Sequence, residues 1–84
     1  MTEYLIPISI EPLEEGGYLA TSSKLQGLIA QGRTIAETME IAEDVARKII
    51  ESIIDHNELI PKKIIASQAP EIKFHTKIPV PLEI

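Results

Sequence analysis

The sequence has no cysteine, no tryptophan and only three aromatic residues, Tyr4, Tyr18 and Phe74. Without cysteine, neither a disulfide nor a thiolate metal site can support the fold. The chain has 84 residues, which suits one domain. A domain of this size buries only about 60–65% of the surface that its unfolded chain exposes. We therefore expect a thin aliphatic core and assembly into a dimer or higher homo-oligomer.

Long apolar runs and excess positive charge are also missing. No stretch approaches the roughly 20 apolar residues that span a bilayer, and residues 1–3 lack the features of a signal peptide. We therefore expect a cytoplasmic protein without a membrane anchor. The formal net charge is −5, which disfavours direct nucleic-acid binding because that depends on Lys and Arg meeting phosphates. Two interpretations stay open: the charge keeps the protein soluble, or it complements a basic partner.

Patterns typical of catalysis and cofactor binding are missing as well. The glycines lack the spacing of a phosphate-binding loop. Asp44 and Asp55 both fall on the polar face of a predicted helix, and no acid lies in the middle of the first strand, which disfavours a magnesium site. His56 and His75 are isolated from any nucleophile or metal-ligand partner. We therefore predict that the protein is not an enzyme and binds no metal or cofactor.

Three short strands are predicted before residue 33. Residues 4–10 alternate with a period of two, which is typical of a half-buried strand, and Pro7 favours an edge position or a bulge there. Gly16 and Gly17 supply the positive φ of a tight turn. The second strand is predicted over residues 18–22 and the third over 28–31, with Gly32 ending it.

A long amphipathic helix is the clearest predicted element. Thr34 and Glu37 match a capping box, in which the hydroxyl accepts from the Glu37 amide and the carboxylate accepts from the Thr34 amide. The helix is expected to end near His56, before Pro61. One apolar stripe should face the sheet; it comprises Ile35, Met39, Ala42, Ala46, Ile49 and Ile53. Ile41 and Ile54 lie off this stripe, and either widen the core or belong to an interface.

Ion pairs are predicted on the opposite face of the helix. Glu43 precedes Arg47, and Asp44 precedes Lys48, by four residues in the favourable order.

The C-terminal part reads as a connector over 58–70, in which Ile64 and Ile65 form a short strand or simply pack. Residues 71–84 then form an edge strand or an arm, because apolar residues alternate there while Pro79 and Pro81 forbid a central ladder position. The whole chain, 1–84, is thus predicted as a single α+β domain of order β-β-β-α-β. Its antiparallel sheet of three or four strands carries one long helix on one face, with the β-β-β-α part at 1–57.

These motifs resemble the N-terminal domain of HicB-like antitoxins. The resemblance covers about two-thirds of the chain, from Tyr4 to Ser52, and its fold-defining motif comprises Gly16, Gly17, Tyr18, Leu25, Gly27, Gly32, Thr34 and Glu37. The chain departs from the family pattern at Leu28, Arg33 and Thr38, where the family often has a small residue such as Cys, an acid, and Ala. Longer members add a DNA-binding domain. The residues after this helix read as a strand, so we expect only the toxin-neutralising part.

The resemblance implies a partial ribonuclease-H-like fold without that enzyme's active site. It also implies a partner, a small basic RNA-cleaving toxin of the HicA type, whose active surface the antitoxin covers. Glu37 belongs with the acids expected to steer that association. Candidate residues for a partner or oligomer interface are Glu14, Glu15, Glu40, Asp44, Ile72, Phe74, Ile78 and Val80. The alternative is an orphan structural or regulatory domain that assembles with itself and has no toxin.

Overall fold

The protein folds as an antiparallel sheet covered on one face by a long helix. The computed structural model describes residues 3–61, 64–66 and 74–83. In chain order, the elements are β1 (Glu3–Tyr4), β2 (Ser9–Pro12), β3 (Tyr18–Thr21), β4 (Ile29–Gly32), α1 (Ile35–Asp55) and β5 (Ile65–Ala66). One sheet has the order β2-β3-β4, and β1 pairs separately with β5; both sheets are antiparallel. The predicted α+β class, with three antiparallel strands and one helix, is confirmed.

Small side chains bring the helix close to the sheet. Ala20 pairs with Ile10 on one side and with Ala30 on the other. Both alanines are buried, as are Ala42 and Ala46 on α1. Helix α1 packs mainly on β4 and next on β3, so these alanines form the contact between the two layers.

The predicted first strand is interrupted around Pro7. Residues 5–8 separate β1 from β2, where the alternation predicted one strand over 4–10. The alternation itself holds, with even-numbered residues half-buried and odd-numbered ones exposed between 3 and 10. The Pro7 carbonyl accepts a hydrogen bond from the Ser22 hydroxyl at 2.8 Å, and proline has no amide hydrogen for a ladder. The pleat therefore continues through this segment without strand pairing.

Ser22 also ends β3 one residue earlier than predicted. Its Oγ accepts from the amides of Lys24 and Leu25, both at 3.1 Å, so the chain turns there. The next strand is shifted by one residue, because β4 begins at Ile29 and includes Gly32.

Helix α1 begins and ends close to the predicted residues. The Thr34 hydroxyl accepts from the Glu37 amide at 3.0 Å, as expected. The Glu37 carboxylate accepts from the Arg33 amide at 3.1 Å, one residue before the amide of a standard capping box. At the other end Asn57 has φ +56°, and the amides of Asn57 and Glu58 donate to the carbonyls of Ile54 and Ile53. This is a Schellman ending, and His56 is the C-cap.

The buried face of α1 is rotated from the predicted stripe. Ile35 and Met39 were expected in the core but are 41% and 36% exposed. Thr38 is fully buried in their place, and its hydroxyl donates to the Thr34 carbonyl at 2.7 Å. That internal bond satisfies the hydroxyl, so a polar residue occupies the closest helix–sheet contact. The residues of α1 with less than a tenth of their surface exposed are Thr38, Ala42, Ala46 and Ile50.

The two residues beside the predicted stripe behave differently. Ile41 is half-buried and packs against the core, whereas Ile54 is 52% exposed. One therefore widens the core and the other remains at the surface. The predicted ion pairs are present: Arg47 lies 3.8 Å from Glu43, and Lys48 lies 3.4 Å from Asp44.

The C-terminal part holds one short strand and one extended segment. The side chain of Ile64 is fully buried, and β5 follows it, as the connector prediction allowed. Residues 74–83 form neither helix nor strand. Of the two alternatives for this segment, an edge strand or an arm, they therefore match the arm, and Pro79 and Pro81 lack two amide donors that a strand would use. We call residues 74–83 the arm. The remainder of the predicted segment, 71–73 and 84, lies outside the described residues.

Candidate binding surfaces

The glycine pair of the motif builds a tight hairpin with two acids at its tip. The Leu13 amide donates to the Gly17 carbonyl at 2.9 Å, and the Gly16 amide donates to the Leu13 carbonyl at 3.0 Å. The loop between them is Glu14-Glu15-Gly16, and Gly16 has φ +102°. A three-residue hairpin loop of this kind requires positive φ at its last position. Glu14 and Glu15 consequently project into solvent.

Close backbone contacts fix this hairpin against the start of α1. A β-carbon at Gly17 would lie 2.7 Å from the Gly32 carbonyl oxygen, and one at Gly32 would lie 2.7 Å from the Thr38 hydroxyl. These approaches require glycine, and they bring Glu15 and Glu37 to the same shallow hollow. Arg33 lines this hollow too.

The acids of the hairpin and helix form one exposed set, which we call the acidic surface. Asp44 contacts Arg47 at 3.6 Å and Lys48 at 3.4 Å. The two bases of α1, Arg47 and Lys48, therefore lie next to acids near the middle of the helix. In the first turns of α1 the charged residues are all acids, Glu37 and Glu40. The acidic surface comprises Glu14, Glu15, Glu37, Glu40 and Asp44, all exposed.

The remaining motif residues shape the loop before β4. Leu25 is 1% exposed, and the Leu28 amide donates to its carbonyl at 3.3 Å. Gly27 has φ +90° within that turn, and a β-carbon there would lie 3.8 Å from the Ile49 side chain. Tyr18 is half-buried and pairs with Gly32 in the sheet. These residues therefore position the strands and leave no group aimed at a ligand.

A second surface, which we call the apolar groove, runs between α1 and the segment 3–8. Its volume is about 660 Å³. Charged residues Glu3, Glu43, Arg47 and Glu51 also line it. The apolar residues that line it are Tyr4, Ile6, Ile8, Leu28, Met39, Ala42, Ala46, Ile50 and Ile54.

Sequence reasoning did not identify this groove. Its helix side comes from one flank of α1, where Met39 and Ile54 are partly exposed. One indication of the groove was present in the sequence: Ile54 is apolar, and the helical pattern placed it off the core stripe. The opposite side comes from residues 4–8, which the pattern alone placed in a strand covered by the core.

The arm carries the apolar residues that the alternation singled out. Phe74, Ile78 and Val80 are 61%, 81% and 69% exposed. Ile72, predicted with them, lies outside the described residues. No arm residue is among those that line the groove.

Within residues 3–61, 64–66 and 74–83, no group of three or more His, Cys, Asp or Glu side chains is placed to hold a metal ion. Over the same ranges no helix combines the length and apolar character that crossing a membrane requires. The chain is a small α+β domain whose described residues present an acidic surface and an apolar groove.

The sequence is similar to two groups of proteins, HicB antitoxins and UPF0150 proteins. The chain is 36% identical over 55 residues to Antitoxin HicB of Escherichia coli K12, across 66% of this chain and 40% of that protein. It is 40% identical over 55 residues to a UPF0150 protein of Synechocystis, across 66% and 75% of the two chains. It is 36% identical over 62 residues to a UPF0150 protein of Thermoplasma acidophilum, across 74% and 84%. No protein-family model matches the chain.

The chain belongs to the HicB-like antitoxin family, as the motif resemblance predicted. It spans about two-fifths of the length of the HicB antitoxins that it matches, and three-quarters or more of the UPF0150 proteins.

Proposed function

We propose that this domain is a non-catalytic antitoxin-type protein that binds a small basic RNA-cleaving toxin of the HicA type and covers its active surface. The family supports a toxin as partner. The observation that carries the proposal is the acidic surface. Its five carboxylates are exposed, and Glu15 of the hairpin tip and Glu37 of the first helical turn line the same hollow, which Arg33 also lines. A basic protein is the partner that this charge would attract.

The acidic surface is suited to steering because it is held by rigid elements. The hairpin tip and the helix start are fixed to each other by the contacts of Gly17 and Gly32. Because the backbones that carry these acids are fixed to each other, no backbone ordering is needed before their charge can attract a basic partner. We therefore expect the acidic surface to govern the association rate more than the dissociation rate.

If a small basic protein is encoded beside this one, the test mixes the two as separately purified proteins. Wild-type protein should bind this partner and suppress its cleavage of RNA. The variant Glu14→Lys/Glu40→Lys should lower the association rate constant about tenfold at roughly 50 mM salt, and much less at roughly 500 mM. Both residues are exposed, and neither caps α1.

A matched control makes the same change in net charge elsewhere. Asp55→Lys/Glu58→Lys changes two exposed acids, one at the last residue of α1 and one just after the helix. Asp55 lies about 22 Å along the helix axis from Glu40. If both double variants slow association equally, net charge alone accounts for the effect and the acidic surface is not the contact. If wild-type protein neither binds the basic partner nor suppresses cleavage, the toxin proposal fails.

The exposed apolar side chains of the arm favour a second candidate function, an orphan domain that assembles with itself. A gene neighbourhood without a small basic reading frame, and pull-downs from native lysate that return only copies of this chain, would favour it.

A further inference from the structure

We infer that the arm of one copy docks in the apolar groove of a second copy, and that two copies exchange arms reciprocally. The inference does not depend on a toxin. It concerns two apolar surfaces of the same chain that no described residue covers, the groove beside α1 and the arm at 74–83.

The arm is unusually apolar for a segment in water. Four of its side chains are between 61% and 81% exposed: Phe74, Ile78, Val80 and Leu82. A contiguous apolar face of this kind on a small protein marks an interaction site. The arm also holds Pro79 and Pro81, which restrict its backbone to extended conformations and so lower the entropy lost when it docks.

The apolar groove has an apolar lining and room for some of the arm's side chains. Its volume of about 660 Å³ falls in the range of about 300–1,000 Å³ that is typical of binding pockets. Its most buried lining, with each residue less than a tenth exposed, comprises Leu28, Ala42, Ala46 and Ile50. Met39 and Ile54 stand partly exposed on the helix side, where a docked side chain would cover them.

The arm carries two charged residues, Lys77 and Glu83, both exposed, and its lysine is the one whose charge is opposite to most of the groove rim. Glu3, Glu43 and Glu51 line the groove together with Arg47, whose guanidinium already lies 3.8 Å from Glu43. The arm places the exposed Lys77 directly before Ile78. An arm seated in the groove would therefore bring a lysine to a predominantly acidic rim.

A second copy is the occupant that these observations favour. Within one chain the arm lies outside the groove, because none of its residues lines it. Two copies related by a two-fold axis each supply one arm and one groove, so a single exchange covers both surfaces on both copies. Such an exchange would also add the apolar burial that a domain of this size lacks.

The absence of cysteine allows a direct cross-linking test. Ile54→Cys protein is mixed with Val80→Cys protein that carries a tag, and a short bifunctional thiol reagent is added. Exchange predicts a cross-linked dimer of mixed mass. The control mixture replaces Ile54→Cys with Ile29→Cys, because Ile29 is 65% exposed and lies one residue out of phase with Ala30, on the sheet face turned away from α1.

Sedimentation of cysteine-free variants, without any toxin present, gives the second measurement. Val80→Glu and Ile54→Glu should each raise the dimer dissociation constant about tenfold or more, because a carboxylate would enter an apolar contact. Ile29→Glu should leave it unchanged. Circular dichroism checks that each variant is folded, which is expected because these three side chains are at least half exposed.

Three outcomes would overturn the inference. The wild-type protein could sediment as a monomer over the whole concentration range, or as a dimer that both glutamate variants leave intact. The double variant Ile54→Cys/Val80→Cys could also cross-link only within single chains, which would mean that the arm folds back on its own groove.

Discussion

Gly32 and Thr38 approach each other more closely than any other residue type at position 32 would permit. A β-carbon at Gly32 would stand 2.7 Å from the Thr38 hydroxyl oxygen, 2.8 Å from its amide nitrogen and 3.0 Å from its α-carbon. Thr38 is fully buried, and its hydroxyl donates to the Thr34 carbonyl. This contact fixes the end of β4 against the first turn of α1, and with it the position of the acidic surface.

The variant Gly32→Ala should therefore destabilise the fold by about 1–3 kcal/mol, the usual cost of overpacking. Adding Thr38→Ala should recover only part of this loss, because the amide nitrogen and α-carbon of residue 38 remain in place. Urea unfolding followed by circular dichroism measures both variants. Full recovery in the double variant would mean that the hydroxyl alone causes the clash.

The adjacent glycines Gly16 and Gly17 should tolerate alanine to different degrees. Both have positive φ, so each alanine variant should suffer backbone strain of about 1–2 kcal/mol. Nothing lies within 4 Å of a β-carbon at Gly16, whereas one at Gly17 would meet the Gly32 carbonyl oxygen at 2.7 Å. Gly17→Ala should accordingly lower the urea midpoint more than Gly16→Ala does. Equal urea midpoints for the two variants would contradict the close approach of Gly17 to the Gly32 carbonyl oxygen.

The N-cap of α1 should depend on the Thr34 hydroxyl more than on the charge of Glu37. Thr34→Ala removes the acceptor of the Glu37 amide and should cost about 1 kcal/mol. Thr34→Ser retains it and serves as the control. Glu37→Gln should have a smaller effect, because the amide oxygen can still accept from the Arg33 amide. Thermal unfolding compares the three, and a Glu37→Gln loss larger than that of Thr34→Ala would contradict this order.

Most of the fold was predictable because its signals are local. A capping residue, a period near 3.6 and a Schellman ending all lie within the helix sequence, and the period of two before residue 11 follows the observed burial. The rotation of the buried face was not predictable from apolarity. Thr38 is polar, but its hydroxyl bonds within its own helix, and Gly32 leaves room for it.

The candidate surfaces were predictable to different extents, again because only contacts between residues close in sequence leave a pattern in it. The acids at the hairpin tip follow from a local turn pattern. The apolar groove joins residues 3–8 to α1 across a large separation in sequence, and no periodicity reports that contact. The arm has the alternation of a strand, but a strand also needs a neighbour for its hydrogen bonds, and that neighbour is not encoded in the alternation.

The connector after α1 contains two aliphatic residues with opposite environments. Ile64 has no exposed surface and packs in the core, whereas Leu59 is 94% exposed. The backbone of Ile64 also accepts from the Leu5 amide at 3.0 Å, so this residue ties the connector to the start of the chain. Removing its side chain would leave a cavity where the domain has few buried residues.

Ile64→Ala should therefore destabilise the fold by about 2–5 kcal/mol, enough to unfold a marginal domain at moderate temperature. Leu59→Ala should change stability by no more than about 0.5 kcal/mol. Ile64→Val, which removes one methylene, should fall between them at about 0.5–1.5 kcal/mol. Urea unfolding at one protein concentration gives the three values on a common scale. If Ile64→Ala and Leu59→Ala had equal effects, the connector would not be anchored in the core, and β5 would lose its packing support.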